Sequence, residues 1–140
     1  MRTAIVAAGL SLAALLAAGS TTGVQAEQMA PPGGEYKKVS TLVALPDFVP
    51  GLGTLYVDPK TLPAGPFLAY DHSGRLVSSV YMIPVKDLDS HKAFDNLKAA
   101  NEKVDHVDIY YNAGHPGVTE PHYHVVVWYV SPQQAAALKQ

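Results

Sequence analysis

The sequence predicts an α+β fold in which an antiparallel sheet of about five strands is accompanied by one main helix and a short C-terminal helix. Short runs of β-branched and aromatic residues recur along the chain between turns that contain Gly and Pro, a pattern typical of an antiparallel sheet. The segment 87–102 instead spaces its apolar residues as a helix does. A helix-start motif at residues 131–134 predicts the terminal helix.

The first 26 residues have the features of a secretory signal peptide. Met1 and Arg2 form a short positive region, residues 3–18 are an apolar run rich in Ala and Leu, and Val24-Gln25-Ala26 resembles an A-x-A cleavage site. The apolar run is shorter than the ~20 residues that a membrane-spanning helix needs. We therefore expect cleavage after Ala26, no membrane span in the mature chain, and a periplasmic or secreted protein.

The remaining 114 residues suit a single domain. Residues 27–35 include Pro31-Pro32-Gly33-Gly34 and are interpreted as a flexible lead-in, so the domain is expected to comprise residues 36–140. The sequence contains no cysteine, so packing, oligomerisation or a bound ligand must stabilise the exported fold without disulfides. Acidic residues slightly outnumber basic ones and no basic patch occurs, which argues against nucleic acid as a partner.

The strands are predicted from β-branched and aromatic runs bounded by turn residues. Residues 46–66 hold five Pro and three Gly, so this segment is predicted to be mostly loop with one short strand inside it. Asp71-His72-Ser73-Gly74 is a turn sequence that predicts a β-hairpin. The predicted strands are residues 36–45, 54–57, 67–70, 76–83, 106–111 and 123–130.

Two helices are predicted. The main helix begins at Asp87 or Asp89 and ends near Glu102. Its apolar residues fall roughly on one face, and they are Leu88, Phe94, Leu97 and Ala100. Ser131-Pro132-Gln133-Gln134 predicts a capping box with Pro in the first helical turn, so a short helix is expected to reach Leu138.

Three histidines are concentrated within ten residues. His122 and His124 are two apart on the last predicted strand, so both side chains lie on one face, about 7 Å apart along the backbone. His115 lies in the preceding loop, which is rich in Gly and Pro. Neutral imidazoles can converge on a metal ion with ligand bonds of about 2.0–2.1 Å. We predict that these three residues bind a divalent transition metal, with zinc or copper as the candidate ions.

A wider pocket is also compatible with the sequence. The preceding strand places His106, Asp108 and Tyr110 on a common face, and an even register would put that face beside the two strand histidines. The pocket would then be covered by the loop that carries His115 and Glu120.

Two other functions remain open from the residues alone. In the first, the histidines only satisfy backbone groups in a structural or oligomer-forming envelope protein, whose aromatic-rich last strands form a core or an interface. In the second, the chain is a small metal-dependent hydrolase or lyase in which one histidine binds the metal and another acts as a base. The sequence contains no G-x-S-x-G motif, no P-loop and no cysteine, so it assigns no catalytic residue.

The segment Gly114-His115-Pro116-Gly117-Val118, followed by Pro121-His122-Tyr123, carries a family resemblance. It resembles a group of small bacterial proteins catalogued as a domain of unknown function and typified by a Thermus protein. The resemblance extends over residues 50–130 and implies an α+β fold without an established activity. His115 and His122 match the family pattern. His124 takes the place of an Asp in that pattern or of its later His.

Overall fold

The computed structural model describes residues 28–140, so the predicted signal peptide, residues 1–26, lies outside the described part of the chain. The strands are β1 (Lys37–Lys38), β2 (Thr54–Val57), β3 (Phe67–Tyr70), β4 (Leu76–Pro84), β5 (His106–Asn112) and β6 (His122–Trp128). They form a six-stranded antiparallel sheet in the order β1-β2-β3-β4-β6-β5. The last predicted strand, β6, therefore lies inside the sheet between β4 and β5.

The predicted α+β fold with one main helix is wrong, because the described chain is mostly β. Residues 28–140 contain two short α-helices, α1 (Val85–Asp89) and α2 (Pro132–Ala137). The helix predicted for residues 87–102 does not extend beyond Asp89, and Leu88 and Leu97 of its predicted apolar face are 45% and 36% exposed. An isolated helix of this length needs a buried apolar face, and of the four predicted apolar residues only Ala100 packs against a buried cluster.

The backbone beyond α1 also departs from helical geometry. His91 and Asn96 have φ values of 59° and 55°, which lie in the left-handed region that interrupts a right-handed helix. None of the helices in the described residues is long and apolar enough to cross a membrane.

Local turn and capping signals are confirmed. β2 and β3 have the predicted bounds, and β3 and β4 form the predicted hairpin. The Asp71 carboxylate accepts hydrogen bonds from the backbone N–H groups of Ser73 and Arg75, and Gly74 adopts a φ of 81°. Helix α2 begins with the predicted capping box between Ser131 and Gln134. These features depend on neighbouring residues only, so the sequence pattern specifies them.

The predicted first strand is shorter than expected. Only β1 pairs with the sheet, and a 3-10 helix at Val39–Thr41 follows it. The chain then crosses one face of the sheet, where Val43, Leu45 and Leu52 pack against the core. Segment 39–52 therefore serves as an apolar cover and not as part of a strand.

The lead-in is partly attached to the sheet. The Ala30 N–H donates to the Gly74 carbonyl at 2.8 Å, and Met29 forms an isolated bridge with Arg75. These contacts hold the lead-in against the β3–β4 hairpin.

The two faces of β5 and β6 differ in environment. Beneath segment 39–52, Val126 and Trp128 of β6 and Val80 and Met82 of β4 belong to the core. On the opposite face, Val107 and Ile109 of the edge strand β5 are 50% and 66% exposed, respectively. The histidines of β6 lie on the core face.

Candidate metal centre

Strand β6 brings two imidazoles together on the core face of the sheet. His122 is fully buried and His124 is 5% exposed. Their Nε2 atoms are 3.0 Å apart. His124 is paired with Met82 of β4 and Tyr110 of β5, so neighbouring strands flank the pair on both sides. The predicted period-two alternation is therefore confirmed.

A tight turn brings the third imidazole to this pair. The N–H of His115 donates to the carbonyl of Val118 at 2.9 Å, and the reverse bond measures 3.0 Å. Between them, Pro116 and Gly117, with a Gly117 φ of 89°, match the central residues of a type II turn. The His115 ring centroid consequently lies 4.9 Å from that of His122 and 5.6 Å from that of His124.

The apolar cover holds this turn in place. A Cβ atom on Gly117 would lie 2.8 Å from Cγ1 of Val43, so the turn and segment 39–52 are in close contact. At the base of the loop, the Gly114 N–H donates to the Asn112 side-chain oxygen at 2.8 Å. The position of His115 therefore depends on contacts with both the cover and β5.

Backbone carbonyls orient two of the three rings. His122 Nδ1 is 2.8 Å from the carbonyl oxygen of Glu120, and His115 Nδ1 is 2.9 Å from that of Pro116. A carbonyl only accepts, so each Nδ1 carries the proton and donates it. The Nε2 atoms of both residues then keep their lone pairs. Metal-binding histidines are commonly oriented in this way through their second nitrogen.

Tyr110 orients the third ring from the neighbouring strand. Its hydroxyl lies 3.1 Å from His124 Nδ1. Without a metal, the hydroxyl donates to Nδ1 and the Nε2–H of His124 donates to His122 Nε2. With a metal on Nε2, the proton resides on Nδ1 and is donated to the hydroxyl oxygen. One partner thus serves both tautomers of His124.

The electrostatic environment keeps His124 neutral. Burial, followed by the neighbouring His122 and His115, lowers its pKa from 6.5 to about 4. Burial, with the carboxylate of Asp108 as the second cause, raises the pKa of the Tyr110 hydroxyl. Both groups are consequently uncharged at neutral pH, and metal binding requires the neutral imidazole.

The three imidazoles are close enough together that they could hold one metal ion. One ring nitrogen from each of His115, His122 and His124 lies within 4.8 Å of the other two. In a tetrahedral zinc site, ligand bonds of about 2.0–2.1 Å place the ligand nitrogens roughly 3.3 Å apart. Small side-chain movements would bring the three imidazole nitrogens to that separation. Three protein ligands leave a fourth position for water or another molecule.

The wider pocket predicted from β5 is present in part: His106 and Asp108 line the same cavity as His115 and His124, but they are not members of the three-histidine cluster. The even register is confirmed, but it pairs His106 with Trp128 and Asp108 with Val126. His106 stacks on Trp128 with ring centroids 5.9 Å apart, and the Trp128 indole N–H donates to Asp108 at 2.8 Å. Both residues therefore lie on β5 opposite positions of β6 that follow the histidine pair, and the two side chains contact Trp128.

Glu120 contributes its backbone and not its side chain. Its carbonyl holds His122, whereas its carboxylate lies 2.6 Å from Lys86 Nζ. Of the features that orient the rings, only Tyr110 had a sequence signal, because strand alternation places it on the face of Asp108. The two carbonyl partners are invisible to such patterns, since every residue carries a carbonyl.

A protein of known structure is similar to this chain in both sequence and fold. The crystal structure of a hypothetical protein from Thermus thermophilus matches with 47% identity and a TM-score of 0.61, covering 69% of this chain and 89% of the Thermus chain. No protein-family profile matches, and no curated protein matches. The Thermus match is consistent with the uncharacterised family that the histidine segment resembles. Because the Thermus protein is described only as hypothetical, the match assigns no activity.

Proposed function

We propose that this chain, which belongs to the same family as the hypothetical Thermus thermophilus protein, binds a divalent transition-metal ion through His115, His122 and His124. The observation that carries the proposal is the orientation of the rings. Each Nδ1 already has an oxygen partner, so each Nε2 is the nitrogen available for a metal.

The position of His115 beside the buried pair supports metal binding over a purely structural role. A buried pair of histidines could satisfy each other with one shared proton, and His122 and His124 have the geometry to do so. That role does not require His115, whose ring nevertheless lies beside both. A metal ion accounts for all three rings together.

Calorimetric titration of the apo protein with zinc tests the proposal. We expect one site per chain, with affinity lost in His115→Ala, whose half-buried side chain can be removed with little damage to the core. His91→Asn is the matched control, because His91 is exposed and Asn tolerates its left-handed backbone. Affinity weaker than about 100 μM, roughly −5.5 kcal/mol, would exclude a meaningful site.

Zinc and copper are both compatible with imidazole ligands. Elemental analysis of protein purified without added metal, and without a His-rich tag, identifies the resident ion. We also propose, from the signal-peptide features of residues 1–26, that the chain is exported to the periplasm or secreted, so the protein should be purified from the periplasmic or secreted fraction. A mature N-terminus at Glu27 would support cleavage after Ala26.

A second candidate function is self-association, and the outer face of β5 favours it. Val107, Ile109 and Tyr111 are 50%, 66% and 55% exposed on an edge strand. Exposed apolar edge strands pair readily with other chains. Light scattering at micromolar concentration tests this, and a monomer unaffected by Ile109→Lys would contradict it.

A metal-dependent hydrolase or lyase has weaker support. The fourth coordination position suits a reactive water, but a catalytic base is also needed. The nearby carboxylates of Glu120 and Asp108 are engaged by Lys86 and Trp128. Binding is accordingly the function that we propose for this site.

A further inference from the structure

A large cavity lies between the core face of the sheet and segment 39–52. Its volume is about 750 Å³, which falls in the range of roughly 300–1,000 Å³ typical of small-molecule sites. Apolar side chains from the cover and from β2 to β4 form most of its wall, including Leu45, Leu52, Leu55 and Val80.

Most polar side chains of this cavity come from β5, β6 and the connecting turn, and they are His106, Asp108, Tyr110, Asn112, His115 and His124. The exposed Lys139, near the C-terminus, also lines it. His122 does not line the cavity and is fully buried. A metal ion held by the three histidines would therefore have His122 behind it, and its fourth position would face the cavity.

Charge complementarity then specifies the ligand. Among the described residues, Asp108 is the one carboxylate on the cavity wall, and it already accepts a hydrogen bond from the Trp128 indole N–H. A bound divalent ion would add two positive charges to the same wall. An anionic oxygen donor is the natural fourth ligand for such an ion. The apolar remainder of the cavity requires an apolar body attached to that donor.

We infer that the cavity binds a hydrophobic monocarboxylate, with the carboxylate on the metal ion and the hydrocarbon chain beneath segment 39–52. This inference rests on the proposed metal site. It adds a ligand class, since metal binding alone requires no cavity.

Fluorescence titration with dansyl-labelled undecanoic acid tests the inference on the purified protein, with equimolar zinc and without metal. The methyl ester of the same probe is the matched ligand without a carboxylate. We expect the acid to bind zinc-loaded protein about tenfold more tightly than apo protein, a coupling of ordinary size. The ester should show no such preference.

Two variants locate the bound probe. Leu52→Trp fills the cavity from the partly buried cover and should abolish probe binding while zinc affinity persists. Leu88→Trp adds the same side chain at an exposed position outside the cavity and should have no effect.

The outcomes distinguish this inference from the metal proposal. Zinc binding without probe binding, or probe binding that zinc and Leu52→Trp leave unchanged, overturns the inference alone. A second copy of the chain occupying the cavity would also overturn it, and light scattering would reveal a dimer that excludes the probe. Failure to bind zinc overturns both.

Discussion

The Nε2 atoms of His122 and His124 lie 3.0 Å apart inside the sheet. Since His122 donates from Nδ1 to the carbonyl of Glu120, its Nε2 is an acceptor in the neutral ring. It must face either the Nε2–H of His124 or a cation. A bound metal ion would replace the shared proton, and the ring of His115, which lies beside both, could supply the third ligand.

Removing the hydroxyl of Tyr110 should weaken metal binding while the fold is retained. Tyr110→Phe keeps the ring but leaves His124 Nδ1 without its partner, and loss of such a second partner typically lowers metal affinity by 10–100-fold. We expect roughly a tenfold loss in a zinc titration. Tyr111→Phe is the control, because Tyr111 lies on the opposite face beside Tyr123. Equal affinities for the two variants would contradict the orienting role.

Stability should depend on pH through His124. Its pKa is about 4 in the folded chain and about 6.5 in an unfolded chain, so the unfolded state binds more protons between these values. The contribution of His124 to the free energy of unfolding of the apo protein should therefore be fully present above about pH 6.5. It should be lost as the pH falls towards about 4. Urea unfolding across this range measures the effect.

A His124→Gln variant serves as the reference for that experiment. Because Gln does not titrate, the free energy of unfolding of the variant should decrease less between about pH 6.5 and about pH 4 than that of the wild type. Parallel pH profiles for the two proteins would show that His124 is not the responsible group.

Substitution of Gly117 should destabilise the chain and weaken metal binding together. Gly117→Ala places a Cβ 2.8 Å from Val43 at a φ of 89°, so the turn must shift and carry His115 with it. We expect a loss of about 1–3 kcal/mol in the free energy of unfolding and a lower zinc affinity. Gly33→Ala is the control, since no atom lies within 4 Å of its added Cβ. Unchanged zinc affinity in Gly117→Ala would show that the conformation of this turn does not determine metal binding.

Loss of the Asp108 carboxylate should affect stability but not metal binding. Asp108→Ala leaves the buried indole N–H of Trp128 without its acceptor, which costs about 1 kcal/mol where water can reach the site. Asp108→Asn retains an acceptor and should be closer to the wild type. Thermal unfolding and zinc titration check both effects. A large fall in zinc affinity would instead support the wider pocket that includes β5.

Features that depend on neighbouring residues could be predicted from the sequence. β2, β3 and the hairpin at Asp71 follow from residue alternation and turn chemistry, and α2 follows from the capping box at Ser131. The same alternation places His122 and His124 on one face. The pair formed by His122 and His124 could therefore be predicted from their spacing, whereas the approach of His115 depends on the contact of its turn with Val43.

Tertiary contacts decided the remaining features. The helix predicted for residues 87–102 does not continue beyond Asp89, because burial of its apolar face depends on distant residues, and these leave Leu88 and Leu97 exposed. The register of β5 beside β6 selects Tyr110 as the partner of His124 and leaves Asp108 with Trp128. Amino-acid order by itself determined which side chains were available. Only long-range packing determined which of them meet, because contacts between distant segments leave no local period in the chain.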